Sequence, residues 1–278
     1  MLELHAHTTY SDGTLSPTEL VQSAARAGVR ALAITDHDTI AGWDEAIATA
    51  QTLAQPLEII PGVELSVTDG ERSLHILGFY PDPNHFRPFL AERLAGRRHR
   101  AYLMVERLAE LGYAIDASLL PGGTGAAPGR PHIAQALVAA GYINHPQEAF
   151  DRWIGDGKPA YVPYDQLAVM DGLAALRAAG AIPVWAHPYL WHSPTTVEVM
   201  LPDMVAAGLM GLEVYHPTQT PSQQDRLTAL CREWGLLKTG GSDYHGPAQD
   251  TKHPLNHFNL PLGLLRSLQS HPSLQHSA

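Results

Sequence analysis

The sequence predicts an α/β protein whose strands run in parallel and close, or nearly close, into a barrel. Two observations carry that expectation. Short apolar runs that read as buried strands alternate with amphipathic helical stretches through both halves of the chain. Histidines and acids then recur at or just past the ends of those runs, where the loops of a barrel carry its chemistry.

Taken in order, residues 2–7 open the barrel as a strand. Ser16-Pro17-Thr18-Glu19 is a capping box with proline at the first helical position, and Gly28 lies just past the apolar pattern of Leu20, Val21, Ala24 and Ala27, so a helix follows. Residues 30–35 form a buried strand, 43–54 a helix and 57–63 another strand, and Asp69-Gly70 turns the chain into a strand at 74–80. The alternation returns with helix 167–179, strand 181–186, helix 197–207, strand 209–215, helix 222–234 and strand 236–240.

Between these stretches the rhythm breaks. A long arginine-rich helical pattern at 86–111 leads through the glycine- and proline-rich loop 121–129 to short helices at 133–140 and 147–153. We read residues 84–165 as an inserted, mainly helical subdomain and residues 1–83 with 166–278 as the barrel. An insertion between barrel units is expected over the C-terminal face of the strands and so to cap the site there. The tail after His253 is weakly patterned, and no repeat or low-complexity tract is present.

With 278 residues, 45% hydrophobic and 17% charged, the chain can bury a large core. No apolar run approaches a membrane span, and the chain opens directly into Leu2-Glu3-Leu4-His5 without a secretory pattern, so a cytoplasmic location is expected. The single cysteine, Cys231, rules out an intrachain disulfide or a thiolate cage, so a bound metal must be held by nitrogen and oxygen. A formal charge of -10 argues against a broad basic surface for duplex DNA, though not against a local anion pocket.

His5-Ala6-His7 carries the most chemical information. On a strand, side chains at i and i+2 point to one face, so both imidazoles can converge on one cation. Asp12, His37, Glu64, His75, His187, Asp243 and His245 answer them from other strand ends. Any one histidine is usually structural, but the coincidence of strand-end position with imidazole and carboxylate chemistry points to a metal site. Gly240 and Gly241, before Ser242-Asp243-Tyr244-His245, would let the backbone approach a crowded site.

These residues stand in motifs that resemble the polymerase and histidinol phosphatase (PHP) family of phosphoesterases. The resemblance covers nearly the whole chain and rests on Leu4-His5-Ala6-His7-Thr8 with Ser11-Asp12-Gly13, Ile34-Thr35-Asp36-His37-Asp38, Ala186-His187-Pro188 and Gly241-Ser242-Asp243-Tyr244-His245. Pro61-Gly62-Val63-Glu64, His75-Ile76-Leu77-Gly78, Gly129-Arg130-Pro131-His132-Ile133-Ala134 and Gly157-Lys158-Pro159 match as well. It implies a distorted seven-stranded βα barrel and up to three divalent metal ions. By position, His5, His7, Glu64 and Asp243 would hold the first, Glu64 would bridge to a second shared with His75 and His187, and Asp12, His37 and His245 would hold the third. Imidazole and carboxylate ligands suit manganese, iron or zinc. Such cations neutralise a phosphate ester and lower the pKa of water, so no serine or cysteine nucleophile is needed. The insertion resembles the branch acting on nucleotides and short nucleic-acid ends, with histidinol-phosphate-type substrates as the alternative.

Substrate contacts are expected from Arg130 and Lys158, both in insertion loops that match the family and both able to reach a second phosphate. Arg93, Arg97, Arg100 and Arg107 recur at helical spacing as a stripe that faces either solvent or phosphate. His216 follows the strand at 209–215 and is placed to give a proton to the leaving oxygen or to bind phosphate. Trp185, Trp191 and Tyr215 flank the site, with core packing favoured over base stacking for each. A Ser242-based triad fails if His245 is spent on metal. An amidohydrolase would bridge its metals with a lysine on a buried strand, but the lysines are only Lys158, Lys238 and Lys252. A non-catalytic metal-binding module would show lost ligands, and none is lost.

Overall fold

The computed structural model describes residues 1–70, 72–120, 128–163, 166–247 and 252–276, so most of the expected loop 121–129 lies outside the described residues. Strands β1 (Leu2–Glu3), β2 (Ala31–Ile34), β3 (Glu58–Thr68), β4 (Ser73–Phe79), β5 (Ile182–Trp185), β6 (Gly211–Tyr215) and β7 (Leu237–Gly240) form one seven-stranded sheet in chain order. Past the ends of β1 and β7, a parallel bridge between Ala6 and Tyr244 draws the two edges together into a nearly closed barrel.

The sheet departs from the expected all-parallel arrangement at one strand. β4 is antiparallel to both β3 and β5, while the remaining pairs are parallel. The connection from Thr68 to Ser73 explains it: so short a link can only reverse the chain, whereas a parallel return needs a crossover of a dozen or more residues. Gly70, at φ +100°, takes the turn conformation that a side chain would resist.

Helices α1 (Pro17–Arg26), α2 (Trp43–Gln51), α6 (Val169–Ala178), α7 (Pro194–Ala206) and α8 (Pro221–Trp234) follow the expected alternation. The α1 capping box forms as read: the Ser16 hydroxyl accepts from the Glu19 N–H at 3.2 Å, and the Glu19 carboxylate accepts from the Ser16 N–H at 2.8 Å. The tail holds a helix that its weak pattern hid, α9 (Leu262–Gln269), whose Leu265 and Leu268 join Leu2, Ile60, Leu77, Phe79 and Val184 in the barrel core.

Strand alternation turns this core into a site. Ile60, Gly62 and Glu64 share one face of β3, and the register sets Phe79 opposite Gly62, Leu77 opposite Glu64 and His75 opposite Ser66. The face that is apolar at Ile60, Leu77 and Phe79 thus carries Glu64 and His75 where β3 runs beyond the end of β2.

The chain forms two compact units, Met1–Phe89 with Gln166–Ala278, and Leu90–Asp165. Helix α3 (Pro83–Glu110) belongs to the first over its opening turns, where Phe86 is buried, and to the second thereafter. The second unit also contains α4 (Arg130–Ala139), α5 (Pro146–Ala149) and a wider helical turn at Phe150–Ile154. Its own core is built from Met104, Val105, Leu108, Ile133, Leu137, Trp153 and Ile154.

Candidate metal centre

Three overlapping groups of nitrogen and oxygen ligands meet at the barrel rim: His5, His7, Glu64 and Asp243; His37, Glu64 and His75; and His7, Asp12, His37 and His245. Backbone geometry brings them there. β1 proper ends at Glu3, but the extended path continues, with the His7 N–H donating to the Tyr244 carbonyl at 2.8 Å, so His5 and His7 share a face. His187 (φ 31°) and Asp243 (φ 53°) both occupy the left-handed region that non-glycine residues avoid, a strain that concentrates at functional sites. A side chain at Gly241 would meet His5 Cβ and N at 2.5 Å, which is why the chain needs glycine there.

Glu64, 1% exposed, stands between two sets of imidazoles. Its Oε2 lies 3.2 Å from His5 Nε2, His7 Nε2 and His37 Nδ1, while its Oε1 lies 2.8 Å from His75 Nδ1 and 2.9 Å from His187 Nε2. Asp243 Oδ1 lies 3.1 Å from both His5 Nε2 and His7 Nε2. Asp12 reaches His245 Nε2 at 3.3 Å and His37 Nε2 at 3.6 Å.

The arrangement fits a cation. His5 Nε2, His7 Nε2, His37 Nδ1 and Asp243 Oδ1 are buried and make no hydrogen bond, an expensive condition for so many polar atoms unless a shared positive charge satisfies them. Ligands about 2.0–2.1 Å from an ion stand roughly 3.0 Å apart at right angles and about 3.4 Å apart in a tetrahedron, and the 3.1–3.2 Å spacings of His5, His7, Glu64 and Asp243 fall between.

The electrostatics agree. Burial pushes the Glu64 carboxyl up, but His75, His37 and His5 more than offset it and hold the group well below its ordinary range; Asp243 is driven down in the same way, chiefly by His5. Burial pulls the His7 imidazole down, yet Asp243 and Glu64 raise it to about 10. In His37 burial wins, at about 4. The ionised carboxylates thus draw positive charge onto His5 and His7 and leave His37 neutral.

The structure also shows residues that the sequence reading passed over. Glu213, fully buried on β6, accepts from His5 Nδ1 at 2.9 Å and from the His187 N–H at 2.8 Å. Holding the proton on His5 Nδ1 aims the Nε2 lone pair into the site. Asp36 accepts from the Thr8 N–H and the Thr8 and Ser11 hydroxyls, each at 2.7 Å, shaping the loop that carries Asp12. Glu3 accepts from the Ser242 N–H and hydroxyl at 2.8 Å and from the Asn256 N–H at 3.1 Å; burial raises its carboxyl to about 7. Each acid interrupts an otherwise apolar strand run or closes one, and a carboxylate buried there needs partners, which is the signal that was present.

Ser242 gives its hydroxyl to Glu3, and His245 Nδ1 donates to the Asp243 carbonyl at 2.7 Å, so no triad forms. His216 is 2% exposed, with Nε2 3.2 Å from Asp243 Oδ2 and Nδ1 2.8 Å from the Thr218 hydroxyl. Trp185 and Trp191 part company: the first is buried, the second exposed. In the second unit, Arg93, Arg97 and Arg100 are half-buried and Arg107 exposed. The Arg100 Nε–H donates to the Val162 carbonyl at 2.8 Å, and Arg107 donates to that of Tyr161. Arg130 pairs with Asp156 at 2.8 Å and lies over the Phe150 and Tyr161 rings; Lys158 is exposed.

Comparison with known proteins places this geometry. The PHP domain profile matches residues 3–118. A 5′-3′ exoribonuclease of Haemophilus influenzae is 36% identical over 253 residues, covering 88% of this chain and 90% of its own length. The chain belongs to the PHP family. A second PHP relative, the 3′,5′-nucleoside bisphosphate phosphatase of Chromobacterium violaceum, is 31% identical over 270 residues, covering 94% of this chain and 92% of its own. The crystal structure of a Bifidobacterium adolescentis protein assigned as a metal-dependent phosphoesterase superposes with a TM-score of 0.78 at 34% identity, over 96% of this chain and 94% of that one.

Proposed function

We propose that this protein is a metal-dependent phosphoesterase that hydrolyses phosphate monoesters of nucleotides, such as a nucleoside 3′,5′-bisphosphate, or trims short 5′-phosphorylated oligonucleotides. The observation that carries the reading is the two-sided setting of Glu64, whose oxygens face separate imidazole sets 2.8–3.2 Å away. A buried carboxylate so placed is suited to bridge two cations.

His5, His7, Glu64 and Asp243 would hold one divalent ion, Glu64, His75 and His187 a second, and Asp12, His37 and His245 a third, with manganese, iron or zinc matching the donors. When bound, such ions neutralise the charge of a phosphate ester and make hydroxide available near neutral pH. The chain's own part is to fix the ligands. Glu213 sets the His5 tautomer, Asp36 and Glu3 hold the loops bearing Asp12 and Asp243, and the strained backbone at His187 and Asp243 aims both side chains.

His216 is proposed to hand a proton to the leaving oxygen. Its burial and its bond to Asp243 favour a second role, steadying that carboxylate. A pH–rate profile separates them: loss of a proton donor removes the alkaline limb, whereas loss of a support lowers the whole profile.

Arg97, Arg100 and Arg130 are proposed to bind a phosphate of the substrate. Arg97 and Arg130 lie close enough to Arg100 that, after burial, their charges help to lower its pKa. Asp156 offsets part of this repulsion, and a phosphate would add to that compensation. Lys158 is assigned to the same task. No described helix is long and apolar enough to cross a membrane, and a cytoplasmic location is part of the proposal.

Elemental analysis of protein purified without chelator, followed by turnover on nucleoside monophosphates, 3′,5′-bisphosphates, histidinol phosphate and a 5′-phosphorylated trinucleotide, tests the reading. Bound transition metal with preference for a nucleotide substrate is expected. A metal-free protein that takes none up, or a preference for histidinol phosphate, would overturn it.

A further inference from the structure

Among the described tryptophans near the rim, Trp191 stands apart. Its indole meets the imidazoles of His75 and His187 at near right angles, with ring centroids 4.8 and 5.1 Å away, yet the residue is 39% exposed. Trp185, six positions earlier on β5, is 1% exposed. What distinguishes Trp191 is not its exposure, which Trp234 shares, but its place: an open indole set against two proposed metal ligands offers a ring face at the rim.

The ring is also held. The Arg72 guanidinium donates to the Trp191 carbonyl at 2.8 Å. Asp69 accepts from the Arg72 N–H at 2.7 Å and from His192 Nε2 at 3.0 Å, and buried His192 packs against Trp185. The β3–β4 turn and the loop after β5 are therefore tied together on both sides of Trp191. Between them Arg72, Ser73 and Trp191 line a surface cavity of about 410 Å³, within the range of small-molecule sites. Its walls offer an aromatic ring, a hydroxyl and an exposed guanidinium with N–H donors beyond the one given to Trp191.

We infer that this cavity is a nucleobase subsite, in which the base of the substrate stacks on Trp191 while Arg72 donates to acceptors on its rim. The inference rests on the nucleotide reading above and deepens it. Among the described residues, Trp191 is the non-histidine ring that touches two of these imidazoles, so the base of a nucleotide whose phosphoryl group is held among them has an aromatic face beside it, one ribose away. Stacking tolerates any base, since every base has a π-face, so the subsite recognises nucleotides as a class.

The test is equilibrium binding to the metal-loaded protein of guanosine and uridine 5′-monophosphate, each against ribose 5-phosphate, for wild type, W191A, W191F and R72A. Turnover of the same compounds is followed in parallel. Wild type is expected to bind both nucleotides roughly tenfold or more tightly than the sugar phosphate. W191A should lose most of that preference while binding ribose 5-phosphate within about twofold of wild type, W191F should keep it, and R72A, which removes the rim donor and its bond to the Trp191 carbonyl, should lose part of it. A wild type without preference for the nucleotides, a W191A protein that retains the preference, or equal losses on all three ligands would overturn the subsite. Binding is read apart from turnover. A nucleotide preference that W191A abolishes, in a protein that hydrolyses neither these compounds nor a nucleoside 3′,5′-bisphosphate or a 5′-phosphorylated trinucleotide, would uphold the subsite and sink the phosphoesterase reading.

Discussion

The barrel rim and the second unit both concentrate charge, but they hold it in different ways. At the rim His5, His7 and Glu64 are almost wholly buried, and their spacing is set by strands, a bridge between Ala6 and Tyr244, and second carboxylates such as Glu213. In the second unit Arg97, Arg100 and Arg130 are half-buried, steadied by a carbonyl, ring faces and a pair with the exposed Asp156. Buried charge without its partner is costly, whereas a surface pair contributes little. The first arrangement suits chemistry that must not vary, the second a specificity that can be altered without loss of the fold.

The largest effect is expected where burial is greatest. Glu64→Gln should lose metal and nearly all turnover, more than any single terminal histidine change, because a neutral amide can neither bridge two cations nor offset their repulsion. Near-normal metal content in that variant would remove the bridging assignment. Chelation should likewise abolish turnover. Since Asp243 and Glu64 hold the His7 imidazole near 10 in the absence of an ion, uptake at pH 7 should release protons and weaken as the pH falls. Titration in weakly buffered solution reads this directly.

Glu213→Gln comes next. The amide can still meet His5 and the His187 N–H, but it no longer requires the proton to sit on His5 Nδ1. A loss of roughly 10–100-fold in metal affinity or turnover is expected, as for other carboxylates behind a metal-bound imidazole. Unchanged affinity would show that the strands alone orient His5.

The same contrast explains what could be read from the chain. His5, His7, Asp12, His37, Glu64, His75, Asp243 and His245, which the structure gathers into groups able to hold a metal, could be picked out because strand ends, glycines and motif spacing mark them. Glu213 was not, because within Gly211-Leu212-Glu213-Val214-Tyr215 a single acid looks like ordinary alternation, and its partners lie 208 and 26 positions away. The antiparallel course of β4 was implicit in the Asp69-Gly70 turn. Helix α9 was hidden because a short amphipathic helix has few periodic positions and nothing local fixes its partner. Trp185 and Trp191 look alike in sequence, and only packing separates the buried ring from the open one.

In the second unit, Arg130→Ala and Lys158→Ala should weaken hydrolysis of a nucleoside 3′,5′-bisphosphate by about 1.5–3 kcal/mol, or roughly ten- to a hundredfold in kcat/KM, and leave an aryl phosphate nearly untouched. Equal losses on both substrates would place these side chains at the reacting group or in the structural support of the site.

The smallest effect should come from the partner of Arg130. Asp156 is 77% exposed at its side chain, so the 2.8 Å pair it makes contributes less than about 1 kcal/mol to stability. Asp156→Asn keeps the shape and removes the charge, and urea unfolding should show almost no shift. The guanidinium, 30% exposed and stacked on Phe150 and Tyr161, keeps its place but is no longer neutralised. The KM for a bisphosphate should then fall by roughly two- to threefold while kcat stays constant, since the gain is in binding a group that does not react. Added salt should shrink the difference, because the pair is open to solvent. A stability loss of several kcal/mol would mean that the second unit depends on its charges as the barrel rim does. An unchanged KM would show that Arg130 is spent on the fold and that the anion is held elsewhere.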